Sequence, residues 1–280
     1  MRLLDRINQF LVLILDTFRQ FSNWRAWGIL LAFLLLNWLV LLAHREYIHA
    51  PFYAILSPWI NLFGENRARA VSHYPQSYFL MPGLFGWSKL LLGIVLEALV
   101  LGAVARLLHR GFAHGRRSGG GRSVLSLWGH LLVIWLVLTG LNYAAGYFLP
   151  GLVAPYVNGP RRLFVFSFVA MPFVFTFLFS LLIFALPAVV VHGDNAGKAI
   201  IRSLRIFLRR PFMCFFLSIF VLALPLLIGS ILNRPVDIAD RFRPELIYWL
   251  LVAKLILETV ANFFWMGAAV RFMVEPEDDQ

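Results

Sequence analysis

Four polar side chains stand where the surrounding residues would fill hydrocarbon: Glu97, Lys254, Glu258 and Asn262. Ionisable groups at that depth cost free energy and face a partner or a water-filled cavity, so they mark either a structural clamp or a substrate path. Lys254, Glu258 and Asn262 follow one another at i, i+4 and i+8, which puts them on one stripe of a helix. Glu97 falls at a similar depth on another apolar run, and Glu97 or Glu258 is expected to pair with Lys254. Asn37 and Asn142 are expected to add hydrogen bonds. A proton- or ion-coupled pathway would use such a group, and so would a polar clamp between helices.

A second pattern lies between two apolar runs. Lys198, Arg202, Arg205 and Arg209 recur at i, i+4, i+7 and i+11, so they form one cationic stripe. Ala196, Ala199, Ile200, Ser203, Leu204 and Phe207 are expected on the opposite face. An amphipathic segment of this kind lies in the membrane interface with its cations toward lipid phosphates or water. The stripe reads equally as a topology signal and as a binding surface for anionic headgroups, another membrane protein or a cytoplasmic subunit.

Other chemistries have little to stand on. Cys214 is the single cysteine, so no intrachain disulfide and no cysteine metal cluster can form. His109, His130 and His192 fall at the ends of apolar runs, whereas haem held between helices needs facing histidines well inside them. His109 and His114 are five apart, not the four of a helical zinc pair. No G-x-S-x-G turn and no Walker A frame occur. The sequence therefore predicts a non-enzymatic protein without metal or cofactor.

The elements that position these residues are set by composition. Of 280 residues, 60% are hydrophobic and 14% charged. A soluble domain carries roughly 25% charged residues, so the fold class expected is an all-α, polytopic membrane protein. Six apolar runs reach membrane length: 24–44, 86–109, 127–149, 163–191, 212–232 and 246–273. Pro172 and Pro187 predict a kink in the fourth. Ala98 with Gly102, and Gly140 with Ala144, make small-xxx-small pairs suited to close helix packing. Residues 1–21 read as an amphipathic N-terminal helix, 45–85 as an outer loop with an interfacial segment, 195–210 as the basic link helix and 274–280 as an acidic tail. Ser118–Gly121 reads as a flexible linker. The net charge of +11 comes mainly from Lys and Arg flanking the apolar runs, which fits the positive-inside rule and argues against nucleic acid. More of them cluster near the termini and the two basic links than on the other side, so both termini are expected in the cytoplasm. Residues 121–126 and 197–202 are weakly alike, which suggests a 3+3 repeat.

At the fourth-to-fifth link, Pro187, Gly197, Ala199, Arg202 and Ser203 form a pattern that resembles the multi-pass membrane domain found beside bacterial glycerophosphodiester phosphodiesterases. It also resembles related bacterial inner-membrane proteins. The resemblance covers the last two thirds of the chain and implies a fold and an inner (plasma) membrane location. It carries no catalytic residue, and no segment here matches the soluble phosphodiesterase domain. The function expected is a scaffold or accessory subunit acting through Lys198, Arg202, Arg205 and Arg209. The alternative is a transporter or permease subunit using Glu97, Lys254 and Glu258.

Overall fold

The structure, a computed structural model, describes residues 2–62, 64–112, 123–157 and 159–274. Ser118–Gly121, His114 and the acidic tail after Val274 lie outside the described residues. The described residues are all-α, with six helices among them long and apolar enough to cross a membrane. They are α2 (Trp24–Arg45), α5 (Gln76–Phe112), α6 (Val124–Val153), α7 (Arg161–His192), α9 (Pro211–Leu232) and α11 (Leu246–Val274). The shortest of them has 22 residues, about 33 Å at 1.5 Å per residue, enough for a hydrocarbon core of about 30 Å. Shorter helices complete the fold: α1 (Arg2–Arg19), α3 (Phe52–Asn61), α4 (Glu65–Val71), α8 (Ala196–Arg209) and α10 (Pro235–Arg241).

Asp16 of α1 accepts a 2.9 Å bond from Arg271 near the end of α11, so the ends of these two helices share one side of the molecule, here the terminal face. Helix α8 lies on the same face, since Arg210 beside it stands 5.4 Å from the Phe272 ring. The α3–α4 hairpin caps the opposite, distal face. There Ile60 and Val71 pack with Tyr47 and Leu84. Helix α5 begins ten residues before the expected start, so Lys89 lies well inside a membrane-length helix rather than near its end.

The terminal half of the bundle is dense. Its centre is the last arm of α7, where Phe184, Ala185, Leu186, Ala188 and Val189 are almost wholly buried among α5, α6, α8 and α11. This arm is detached from the rest of α7 by a break at Ile183 and Phe184. Pro187 explains the break: it offers no N–H to Ile183 and its ring crowds that carbonyl. Unpaired backbone groups are costly away from water, and here they find side chains. The Trp265 indole donates to the Ile183 carbonyl at 2.7 Å. Ser203 of α8 accepts from the Phe184 N–H at 3.3 Å and donates to the Leu181 carbonyl at 2.8 Å. The kink expected at Pro187 is thus a break stitched by two other helices.

Helix α1 is seated deeper than a purely surface helix. Leu13, Ile14 and Thr17 are buried. Phe10 meets Phe216 and Phe220 of α9, and Phe18 meets Phe264 of α11 with centroids 4.7 Å apart. Thr17 fits directly against Gly267. Its amphipathic pattern therefore buries a stripe against protein and leaves Leu11 and Leu15 exposed.

The two small-residue pairs behave differently. A Cβ on Gly102 would lie 2.5 Å from the Leu131 side chain, so α5 and α6 approach closely there as expected. Gly140 has open space around it, and the α5–α6 seam gapes at that level. The weakly alike segments also occupy different positions: Ser123 caps α6 itself, whereas 197–202 lies inside the separate link helix α8.

Candidate functional site

The polar residues come together in the distal half of the bundle. Helix α11 has no proline and carries Lys254, Glu258 and Asn262 on one stripe, with Glu258 about 18 Å from its distal end at 1.5 Å per residue. Glu258 is ion-paired and hydrogen-bonded to Lys89 of α5. Lys254 stands 3.9 Å from the other Glu258 oxygen, beyond hydrogen-bond reach. Lys89 and Glu258 keep 25% and 23% of their side-chain surface exposed, so the pair borders open space.

Glu97 ends a π-helical turn, Gly93–Glu97, in the middle of α5. Such a turn carries one residue more than an α-turn and re-aims the side chains that follow. The Trp135 ring, on α6, lies beside the Glu97 carboxylate, with both packed over Gly93. Gly93 makes room for both: a Cβ there would fall 2.8 Å from Trp135 Cη2 and 3.1 Å from Glu97 Oε2. Among the described residues no salt bridge engages Glu97.

These residues line a cavity of about 1100 Å³ walled by α5, α6, α7, α9 and α11. Lys89, Glu97, Asn142, Lys254, Glu258 and Asn262 all face it. Its walls reach the distal ends of the helices at Phe79, Pro150, Leu163 and Asn233. Its floor is the pair Phe179 and Trp265, in edge contact with centroids 4.8 Å apart. Below that floor lies the dense arm of α7. Four wall helices carry an internal proline at the cavity, Pro82, Pro150, Pro172 and Pro225. Each leaves the carbonyl four residues earlier without its helical donor.

The expected cluster is assembled, with changes. Glu258 does meet Lys254, but its nearer partner is Lys89. Lys89 lies three residues inside the expected run 86–109, where a lone cation reads as one flanking the span. The missed signal is the spacing of Lys89, Gly93 and Glu97, which repeats every four residues along α5. Asn142 lines the cavity while its amide donates to Leu138 O at 2.8 Å. Asn37 does not join: it is buried in α2 and donates to Phe33 O, with its Oδ1 unpartnered.

Helix α8 presents the second candidate site. Asn195 caps it by accepting from Lys198 N at 2.9 Å. Ala199 and Ser203 are fully buried and anchor one face. Lys198, Arg205 and Arg209 are exposed, and no salt bridge among the described residues engages them. Arg202 is instead held by Asp194 at 2.7 Å. Leu204 is not on the anchored face as expected; with Ile201 and Leu208 it forms a separate exposed apolar stripe, and Leu208 is 78% exposed. The helix therefore has three faces: anchored, apolar and cationic. Among the described residues no three His, Cys, Asp or Glu side chains group closely enough to hold a metal ion.

Compared with protein-family models, with curated proteins and with solved structures, the chain matches none of them.

Proposed function

We propose that this chain is a membrane transport protein, a carrier or permease subunit, whose substrate site is the distal cavity. The observation that carries the reading is the set of charged residues lining a large cavity well inside membrane-length helices. A clamp alone would bury and pair its charges, and would not surround them with about 1100 Å³ of space. The arrangement matches the general design of carriers: broken helices, a site near mid-membrane, and a closed layer on one side. In this reading Phe179 and Trp265 close the path toward the terminal face, and binding and passage rather than bond chemistry are the protein's work.

The second reading, a scaffold or accessory subunit on anionic lipid or a membrane partner, is favoured by helix α8. Exposed Ile201, Leu204 and Leu208 beside Lys198, Arg205 and Arg209 suit a helix half-sunk in a headgroup layer. Each such cation adds about 1 kcal/mol of attraction to an anionic leaflet. The cationic face belongs with the cytoplasmic leaflet of an inner (plasma) membrane, so we place both termini in the cytoplasm.

Complementation separates the readings. In a strain lacking the protein, Glu258→Gln and Lys254→Gln should insert at wild-type levels yet fail to restore function. Lys198→Gln/Arg205→Gln/Arg209→Gln should fail instead if the scaffold reading holds. Full complementation by Glu258→Gln and Lys254→Gln would overturn the transport reading.

A further inference from the structure

A second cavity, of about 500 Å³, lies on the lipid-facing side of the α5–α6 seam, a size within the roughly 300–1,000 Å³ of small-molecule sites. It is almost wholly apolar. Gly140 and Ala144 keep it open, and Tyr143, Tyr147 and Phe148 form its exposed side. The seam is closed at both ends. Toward the terminal face Trp128 donates to Val95 O at 3.3 Å, and toward the distal face Trp87 meets Tyr143 with centroids 5.6 Å apart. Between those ties, Leu90, Trp135 and Thr139 line both this groove and the central cavity. One layer of side chains separates the membrane from the charged site, and one of those side chains, Trp135, lies beside Glu97.

We propose that the site takes a single-chain zwitterionic amphiphile that enters from the membrane between α5 and α6. The proposal rests on the transport reading of the same cavity and names its substrate class. The acyl chain lies in the groove beside Gly140 and Tyr143, and the head reaches past Trp135 into the central cavity. Charge complementarity selects the head. The four charged side chains sum to zero, Glu258 is already held by Lys89, and two groups are left with spare capacity. Lys254, whose carboxylate neighbour is 3.9 Å away, takes the anionic group of the head. Glu97, which faces the cavity and which no salt bridge among the described residues engages, takes the cationic group. A wholly anionic head would leave Glu97 facing it unpaired, which is costly where water is scarce.

The test uses the full chain in lipid nanodiscs and a single-chain phosphocholine bearing a diazirine at the chain end. Illumination should label the groove segment 136–148, and excess unlabelled single-chain phosphocholine should remove the label. Gly140→Leu fills open space in the folded protein and should suppress labelling without lowering the unfolding temperature. Lys254→Gln and Glu97→Gln should each weaken competition about tenfold, the loss of one charged hydrogen bond. A fatty acid of the same length should compete at least tenfold less well. Labelling spread evenly over the lipid-facing helices, or unchanged by Gly140→Leu, would overturn the proposal. If glycerophosphocholine without a chain competes equally well, the amphiphile inference falls while the transport reading of the cavity stands.

Discussion

Replacing Ser203 with alanine probes the junction that joins the link helix to the core. The Ser203 hydroxyl is fully buried, accepts from Phe184 N–H and donates to the Leu181 carbonyl. Alanine removes one oxygen and deprives two main-chain groups of their partner in a water-free layer. A buried donor or acceptor left without a partner costs about 1–3 kcal/mol, so two should cost about 2–4 kcal/mol after partial relaxation. The control is Leu204→Ala on the same helix, where an exposed side chain should change stability by less than about 0.5 kcal/mol. Reversible unfolding in mixed detergent micelles, followed by circular dichroism, measures both. Trp265→Phe should cost about 1–3 kcal/mol, because only the Ile183 carbonyl loses its donor. If Ser203→Ala falls within about 0.5 kcal/mol of wild type, the break in α7 is not held by α8 and the reasoning is refuted.

Gly93→Ala should destabilise by about 1–3 kcal/mol in the same unfolding assay, since the added methyl meets the rigid Trp135 ring. Gly140→Ala, with open space around it, should be neutral or stabilise by up to about 1 kcal/mol. Asp16→Asn removes the contacts to Arg19 and Arg271; it should loosen α1, read as faster proteolysis near residue 20, while costing less than about 1 kcal/mol of global stability. Lys198→Gln/Arg205→Gln/Arg209→Gln should lower binding of the protein in micelles to anionic vesicles, with about 1 kcal/mol lost per charge and a weaker salt dependence.

The six spans, the basic link and the kink at Pro187 were legible because each rests on local chemistry: apolar length, i/i+4 spacing, a missing N–H. The stripe Lys254, Glu258 and Asn262 was legible for the same reason. Lys89 was not, because it stands near the start of the expected run 86–109 and there reads as a flanking cation; hydropathy says little about where the helix itself begins. Helix α5 continues through Pro82 and Gly83 to Gln76, and only tertiary packing reveals that. The π-turn at Gly93–Glu97 leaves no mark in residue type beyond the glycine, so the aim of Glu97 toward Trp135 was invisible. Leu204 was assigned to the anchored face by helical angle alone, yet Ala199 and Ser203 define a narrower anchor that leaves it outside. The groove at Gly140 shows the same limit, since small residues permit close packing without enforcing it.

The most direct test of the central claim is whether water and solutes reach the charged cluster from the distal side. In a Cys214→Ala background, Asn262→Cys places a thiol on the cavity wall, and Leu39→Cys places one on the exposed surface of α2. A membrane-impermeant, charged thiol reagent should label Asn262→Cys in intact membranes from the distal side and leave Leu39→Cys unlabelled. Lys254→Gln should leave the labelling rate within about threefold of its parent, a change under about 1 kcal/mol in barrier. Labelling of Asn262→Cys only after denaturation, or only from the terminal face, would contradict the account.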